Sequence, residues 1–360
     1  MKAAILLPTL AGHDAVGNDA LTMAALLRSR GITTRVFCET AIGVAERTSP
    51  LSELEGFCGP RDLLIYHFSV GWPAGLEALR RSPAFRVVRY HNITPPEFFA
   101  GISTAHEQAC RRGRAEVPRL ARLGCELYLG ASAYNLGELR AEGAPAERCA
   151  VLPPFHRIEH LVDAEADLGL LDRLCDGACN ILMVGRVAPN KGHVELVDAF
   201  AAFVDGWGDP ARLLIVGKRD LALAAYAERI QQRIEQHRLG ARVRWLESVN
   251  EAQLKAAYLA SSAFMTLSGH EGFCVPLVEA MALGVPVVAR DRSAIAETVG
   301  DGGIVWDEVD PWLYAATLAR LQDDAALRGH LRERAHRRYA REFTPEVLRQ
   351  RFFDLLDRAA

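Results

Sequence analysis

No run of eighteen apolar residues occurs in this 360-residue chain, so no segment is expected to cross a bilayer as a helix. Excess positive charge is also missing. Forty-two Lys and Arg against forty-five Asp and Glu give a net charge of −3. A general nucleic-acid binder is thereby disfavoured, because phosphate-backbone affinity needs clustered cations. The eight cysteines lie scattered in apolar or helical contexts, and only Cys175 and Cys179 are close in sequence. No second pair or histidine cluster completes a zinc pattern, so reduced cytosolic thiols are expected. Met1-Lys-Ala-Ala-Ile-Leu-Leu runs directly into a strand pattern, without the apolar core and cleavage site of a signal peptide. The Gly-x-Gly-x-x-Gly fingerprint of a dinucleotide site is absent, which makes an NAD-dependent enzyme the least favoured class.

Half of the chain is hydrophobic and 24% is charged, normal for a globular protein. Its length suits two domains of roughly 150 to 180 residues. Strand-like runs such as Lys2–Pro8, Thr33–Cys38, Asp62–His67 and Phe85–His91 alternate with helical patterns at Ala20–Arg30 and Ala105–Leu123. That rhythm predicts βαβ units with parallel sheets. Between Pro153 and Asp172 prolines and acidic residues interrupt it, and the domain boundary is placed there, after residue 160. Arg111, Arg112, Arg114, Arg119 and Arg122 form a basic helix face, either solvated or able to rest on anionic lipid.

The stretch from Ser268 to Ala289 carries the densest signal. A buried strand, Ala263–Leu267, leads into a polar loop from Ser268 to Cys274, and a helix opens near Pro276 and stops at Gly284. Val285–Ala289 reads as the next strand. The loop thus lies at the carboxyl end of a strand, where open parallel sheets bind ligands. Glu271 lies in that loop, and Glu279 follows on an otherwise apolar helix, facing either solvent or the ligand crevice. Backbone N–H groups of Gly272 and Phe273, near the helix start, suit phosphate or sugar hydroxyls.

A second strand, Ile181–Val184, ends in Gly185-Arg186-Val-Ala-Pro-Asn-Lys191-Gly192. Two cations on a strand-to-helix loop suit a pyrophosphate: Arg bridges oxygens bidentately, and Lys adds a point charge.

Together these stretches resemble the family-4 retaining glycosyltransferases. Glu271-Gly-Phe, Pro276 and Glu279-Ala-Met-Ala-x-Gly-x-Pro-Val-Val-Ala289 match their signature, with its Glu-x7-Glu pair, and Gly185-Arg186-x4-Lys191-Gly192 matches the donor-diphosphate loop. The match covers the second half of the chain at motif level and the first half only in rhythm. It implies the α/β GT-B fold, two Rossmann-like α/β/α domains facing each other across a crevice. The acceptor-side domain is expected at 1–160 with a returning helix at 343–360, and the donor domain at 161–342.

By the same resemblance, Arg186 and Lys191 hold the diphosphate, Glu271 fixes the sugar hydroxyls, and Glu279 accepts from the ribose. Gly272, Phe273 and Cys274 line the donor, Val249 supports the base, and Gly17 matches the glycine near the diphosphate or acceptor. His91, at the end of a strand, takes the family histidine's place beside the donor sugar, with His67 as its rival. Glu271 and His91 are the expected catalytic pair. Cys274 departs from the pattern, since the family commonly has Gly there. Glu247 and Ser248 likewise stand where the family often has Gly.

The expected reaction moves a hexosyl group from a nucleoside-diphosphate sugar, a UDP-sugar or GDP-mannose, to a hydroxyl acceptor with retention. The acceptor is expected to be a cell-envelope glycan or lipid-linked sugar. No Asp-x-Asp occurs, so no metal or other cofactor is expected beyond the nucleotide-sugar co-substrate, and no nucleic acid. The expected location is cytoplasmic, with peripheral contact at the inner membrane face open. The alternatives are a non-catalytic nucleotide-sugar binding module and a carboxylate-pair glycoside hydrolase.

Overall fold

The computed structural model describes residues 1–12 and 14–359. The chain forms two compact units. One comprises Met1–Glu97, Ala105–His156 and Thr344–Ala360, and the other Phe98–Thr104 and Arg157–Phe343. The chain therefore passes between units at His156, against an expected join after 160, and again at Phe343. Phe98–Thr104 belongs with the second unit because Ile102 packs on that unit's core.

The first unit is built on a seven-stranded sheet. Its order is Thr48–Ser49, Thr33–Phe37, Lys2–Leu6, Leu63–Phe68, Phe85–Tyr90, Leu127–Gly130 and Cys149–Val151. Every pairing is parallel, with Ile5 opposite both Val36 and Ile65. Side chains alternate across a strand, so Ala4 and Leu6 enter one apolar layer while Ala3 and Ile5 enter the other. Helices cover both faces, which is why Leu63–Phe68 is buried at all six positions and reads as an apolar run interrupted at His67. The last helix, Pro345–Ala359, belongs to this unit: Leu348, Phe352 and Phe353 join the layer containing Ala3 and Ile5.

The second unit carries a six-stranded parallel sheet, ordered Val243–Leu246, Ala211–Val216, Cys179–Val184, Ala263–Thr266, Val287–Arg290 and Gly303–Trp306. The chain winds outward from Cys179–Val184 in one direction, then returns and winds outward from Ala263–Thr266 in the other. These two neighbours flank the topological switch point, and loops at their carboxyl ends form the ligand-binding edge of such a sheet.

Two element ends differ from the sequence pattern. The helix expected from Ala20 begins at Ala15, because Asp14 caps it by accepting from the Gly17 N–H at 2.5 Å. Gly17 and Asn18, weak helix formers in its first turn, delay the helical signal by a turn. The strand Val243–Leu246 stops short of the full run Val243–Val249 that the sequence suggests, and Ser248 turns the chain with φ 56°. Asn250 and Gln253 then form a reciprocal capping box for the helix Glu251–Leu259. Along Thr104–Ala121 the basic face is partly neutralised, with Arg111 paired to Glu107 and Arg114 to Glu138. Among the described residues no helix is long and apolar enough to cross a membrane.

Candidate functional site

At the switch point of the second unit, two loops are sewn together. Asn190 accepts through its carbonyl from the N–H groups of Gly269 (2.8 Å) and His270 (3.3 Å). Its side-chain amide donates back to the His270 carbonyl at 3.1 Å. Gly192 adopts φ 66°, and a Cβ there would lie 2.1 Å from the Leu267 carbonyl oxygen. Only glycine permits that approach, so the Gly185–Gly192 loop and the Leu267–Cys274 loop form one rigid surface.

Lys191 and Glu271 meet on this surface. Lys191 Nζ lies 2.7 and 2.8 Å from the two Glu271 carboxylate oxygens. Burial works against the Lys191 ammonium, but Glu271 outweighs it and raises the Lys191 pKa above its ordinary value. Glu271 is anchored from behind, its N–H donating to Ser293 Oγ at 2.8 Å. Arg186 is exposed and unpaired among the described residues, and its charge is felt at Lys191 as an opposing, pKa-lowering influence. The exposed Arg186 guanidinium and the Glu271-held Lys191 ammonium thus stand together at the carboxyl end of a central strand.

Cys274 stands at the start of the helix Val275–Ala282 with φ 76° and ψ 76°. The family's glycine at this place matches that left-handed backbone, and this chain holds a non-glycine residue in it. Burial, followed by the Glu271 carboxylate, pushes the Cys274 thiol well above its usual range, so it is no thiolate nucleophile. The Phe273 ring packs edge-on against Phe343, and its carbonyl accepts from Thr298 Oγ1 at 2.8 Å. Gly272 is half-buried in the loop before that helix. Val249 is half-buried in the loop after Val243–Leu246.

Glu279 is half-buried and tethered: Tyr258, fully buried, donates its hydroxyl to Glu279 Oε2 at 2.7 Å. Burial raises the Glu279 pKa, and the Tyr258 hydroxyl works in the opposite direction. One carboxylate oxygen is therefore committed.

The first unit holds a separate polar cluster. Asp19, on the buried face of its helix, accepts from Arg89 Nε at 2.7 Å and from the Phe155 N–H at 2.7 Å. Arg89 Nη1 donates to the Leu152 carbonyl at 2.6 Å. His67, expected at a strand end, lies inside the strand Leu63–Phe68 and is completely buried. His91 immediately follows Phe85–Tyr90, and its Nε2 lies 3.0 Å from His67 Nδ1 and 3.5 Å from Asp19 Oδ2. Burial holds the His91 pKa well below the ordinary value and brings His67 down to about 4, so both rings are neutral. Asp19, His67 and His91 each offer a ligand atom within 4.8 Å of the others, a spacing a metal could use. Arg89 already neutralises the same Asp19 oxygen, however, and a divalent cation there would meet like charge in a low-dielectric interior. Gly17 is not in an open loop. It sits in the first helical turn, where a Cβ would come within 1.9 Å of the Ala11 carbonyl oxygen.

Asn190, Ser293, Tyr258, Asp19 and Arg89 carry no motif that marks them in the sequence. Asp19 alone left a signal: it shares a helix face with Met23 and Leu27, an acid on an apolar stripe.

Comparison with solved structures places the fold among the GT-B glycosyltransferases. The chain matches Anabaena Alr3699/HepE, solved with UDP and glucose, at TM-score 0.74 and 18% identity, over 99% of this chain and 100% of that one. WaaG, a glycosyltransferase of lipopolysaccharide biosynthesis, matches at TM-score 0.74 and 14% identity over 98% of this chain and 99% of that one. Residues 177–338 match the family model described as Glycosyl transferases group 1. Among characterised relatives, the Escherichia coli serotype-specific mannosyltransferase WbdA is 33% identical over 122 residues, 33% of this chain and 14% of that protein. The Mycobacterium tuberculosis phosphatidyl-myo-inositol mannosyltransferase is 35% identical over 162 residues, 44% of this chain and 40% of that protein. The aligned segments thus span well under half of either relative.

Proposed function

We propose that the chain is a retaining, metal-independent hexosyltransferase. It would move a hexosyl group from a nucleoside-diphosphate sugar to a hydroxyl of a cell-envelope glycan or lipid-linked sugar. The observation that carries this reading is the Arg186–Lys191–Glu271 arrangement at the switch point, in the segment that matches the family. In this reading Arg186 and Lys191 bind the diphosphate and stabilise the charge that develops as it leaves, and electrostatic stabilisation of this kind commonly contributes most to catalysis. Glu271, fixed through its N–H by Ser293, hydrogen-bonds the sugar hydroxyls. Glu279 Oε1 accepts from the ribose, Phe273 and Cys274 shape the wall behind the sugar, and Val249 packs beside the base. The departing phosphate takes the acceptor proton, so no enzymic base is required.

The relatives support this choice of substrates. One is a mannosyltransferase of serotype-specific function, another acts on phosphatidyl-myo-inositol, and HepE was solved with UDP and glucose. In this reading His91 serves the donor sugar, and Gly17 serves the diphosphate or acceptor. A glycoside hydrolase has no use for a free guanidinium and an ammonium at a strand end, so the transferase reading is preferred.

Purified protein should be screened for thermal stabilisation by UDP, GDP, ADP and their common sugars with a chelator present. A ligand at about 100 times its Kd stabilises the fold by roughly 2.7 kcal/mol. One nucleotide is expected to stand out, and its sugar to be transferred to a glycan acceptor with the anomeric configuration kept. No stabilisation by any nucleotide would remove the donor-site assignment, and loss of turnover with chelator would remove metal independence.

A further inference from the structure

His67 is buried completely, and its Nε2 has no hydrogen-bond partner among the described residues. Its other nitrogen, Nδ1, lies 3.0 Å from His91 Nε2. The rings are nearly parallel, 21° apart, with centroids 5.2 Å from each other. Two neutral imidazoles in this contact must share one hydrogen between them: one nitrogen donates and the other accepts. Two arrangements satisfy that condition. If His91 Nε2 carries the hydrogen, His67 must carry its own on Nε2, and a buried N–H goes unpaired. If His67 Nδ1 carries it, only a lone pair on His67 Nε2 is left unused. Orphaned buried N–H groups are the rarer and costlier of the two. Asp19 Oδ2, at 3.8 Å from His67 Nδ1 and 3.5 Å from His91 Nε2, is near both nitrogens and does not separate the alternatives.

We infer that His67 is a positioning residue: it donates from Nδ1 to His91 Nε2 and so fixes His91 as the tautomer bearing its hydrogen on Nδ1. The second arrangement leaves His91 Nδ1 as the nitrogen turned away from the cluster, on a ring whose side chain stays 7% exposed. His91 then meets a ligand only as a hydrogen-bond donor. Its chemical partner is an oxygen lone pair, of a sugar hydroxyl or a phosphoryl group, and it has no basic nitrogen to offer an acceptor hydroxyl. Arg89 and Asp19 support the arrangement by cancelling each other's charge beside the rings. This extends the proposed function, since it rests on His91 lying at the sugar.

The test is a long-range proton–nitrogen correlation spectrum of the whole protein with nitrogen-15-labelled histidine, at neutral pH. His91 should show a protonated Nδ1 and an unprotonated Nε2, and His67 the same pattern. A His91 spectrum with hydrogen on Nε2 would overturn the inference. His67→Phe should switch His91 to the Nε2–H tautomer and lower kcat roughly tenfold, the value of one hydrogen bond, with the Kd for the bare nucleoside diphosphate unchanged. His67→Asn, which keeps an amide N–H near the Nδ1 position, should restore the Nδ1–H tautomer and most of the lost kcat. If His67→Phe alters the tautomer but not kcat, His91 does not serve the reaction as a donor and the inference fails. The wild-type spectrum is decisive even if His67→Phe does not fold. Absence of all transferase activity would sink the proposed function while leaving the tautomer result standing.

Discussion

Lys191 and Glu271, eighty residues apart in sequence, form a two-oxygen ion pair with only 8% of the glutamate side chain exposed. Removing one partner strands the other. Lys191→Ala should therefore destabilise the fold by about 1 to 3 kcal/mol, below the full cost for a sealed pair because the lysine remains one-fifth exposed. The Lys191→Ala/Glu271→Ala double variant should recover part of that loss. Urea unfolding of the two single variants and the double variant, read as a thermodynamic cycle, measures the coupling. Additive effects would show that the pair contributes nothing.

Position 274 reverses the usual ranking of alanine and glycine. With φ at 76°, any Cβ is strained there. Cys274→Gly should exceed Cys274→Ala in stability by about 1 kcal/mol. Denaturant midpoints of the two variants check this, and equal midpoints would mean that the backbone relaxes.

Tyr258→Phe keeps the buried ring and deletes only the hydroxyl that donates to Glu279. Glu279 then loses the influence that holds its pKa down, and loses its fixed orientation. Binding of the nucleoside diphosphate should weaken about tenfold, and stability should fall by about 1 kcal/mol. Calorimetric titration with the nucleotide found in the stability screen decides the matter. Unchanged affinity would detach Glu279 from the ribose.

Acid should destabilise this protein before its carboxylates titrate. His67 is held at about 4 and His193 at about 3, chiefly by burial, and His91 is also depressed. An unfolded histidine binds its proton near 6.5. As pH falls through that value the unfolded chain takes up protons that the folded chain refuses, so stability is full above about 6.5 and declines toward 4. Each such histidine contributes a slope on the order of 1 kcal/mol per pH unit. Denaturation midpoints measured from pH 7.5 to 4.5 should fall steeply, and replacing His193 with Phe should flatten the curve.

Much of this protein is legible in its sequence, and the limits have physical causes. Both parallel sheets announce themselves, because strands buried on two faces are apolar at most positions, as Leu63–Phe68 is except at His67. Arg186, Lys191 and Glu271 stand out because they fall on stretches that resemble a known family's signature. What stays hidden depends on pairing between distant segments. Tyr258 looks like an ordinary core aromatic until its hydroxyl is found against Glu279. Asn190 is one more polar loop residue until its carbonyl is seen accepting from Gly269 and His270. The left-handed turns at Ser248 and Cys274 are concealed for another reason. Glycine advertises such a turn, and this chain makes both without it.

The placement of the final helix governs the order in which the protein can be made. Phe352 seals the first unit's layer edge-on against Phe155, while Arg30 stacks over Phe353 and pairs with Asp357. The sheet that begins at Lys2 therefore waits, with one face partly uncovered, until synthesis has reached Pro345–Ala359. Every residue of the second unit has been made by then. During translation the unit begun second can finish first, and the unit begun first is the one exposed to misassociation and to chaperones.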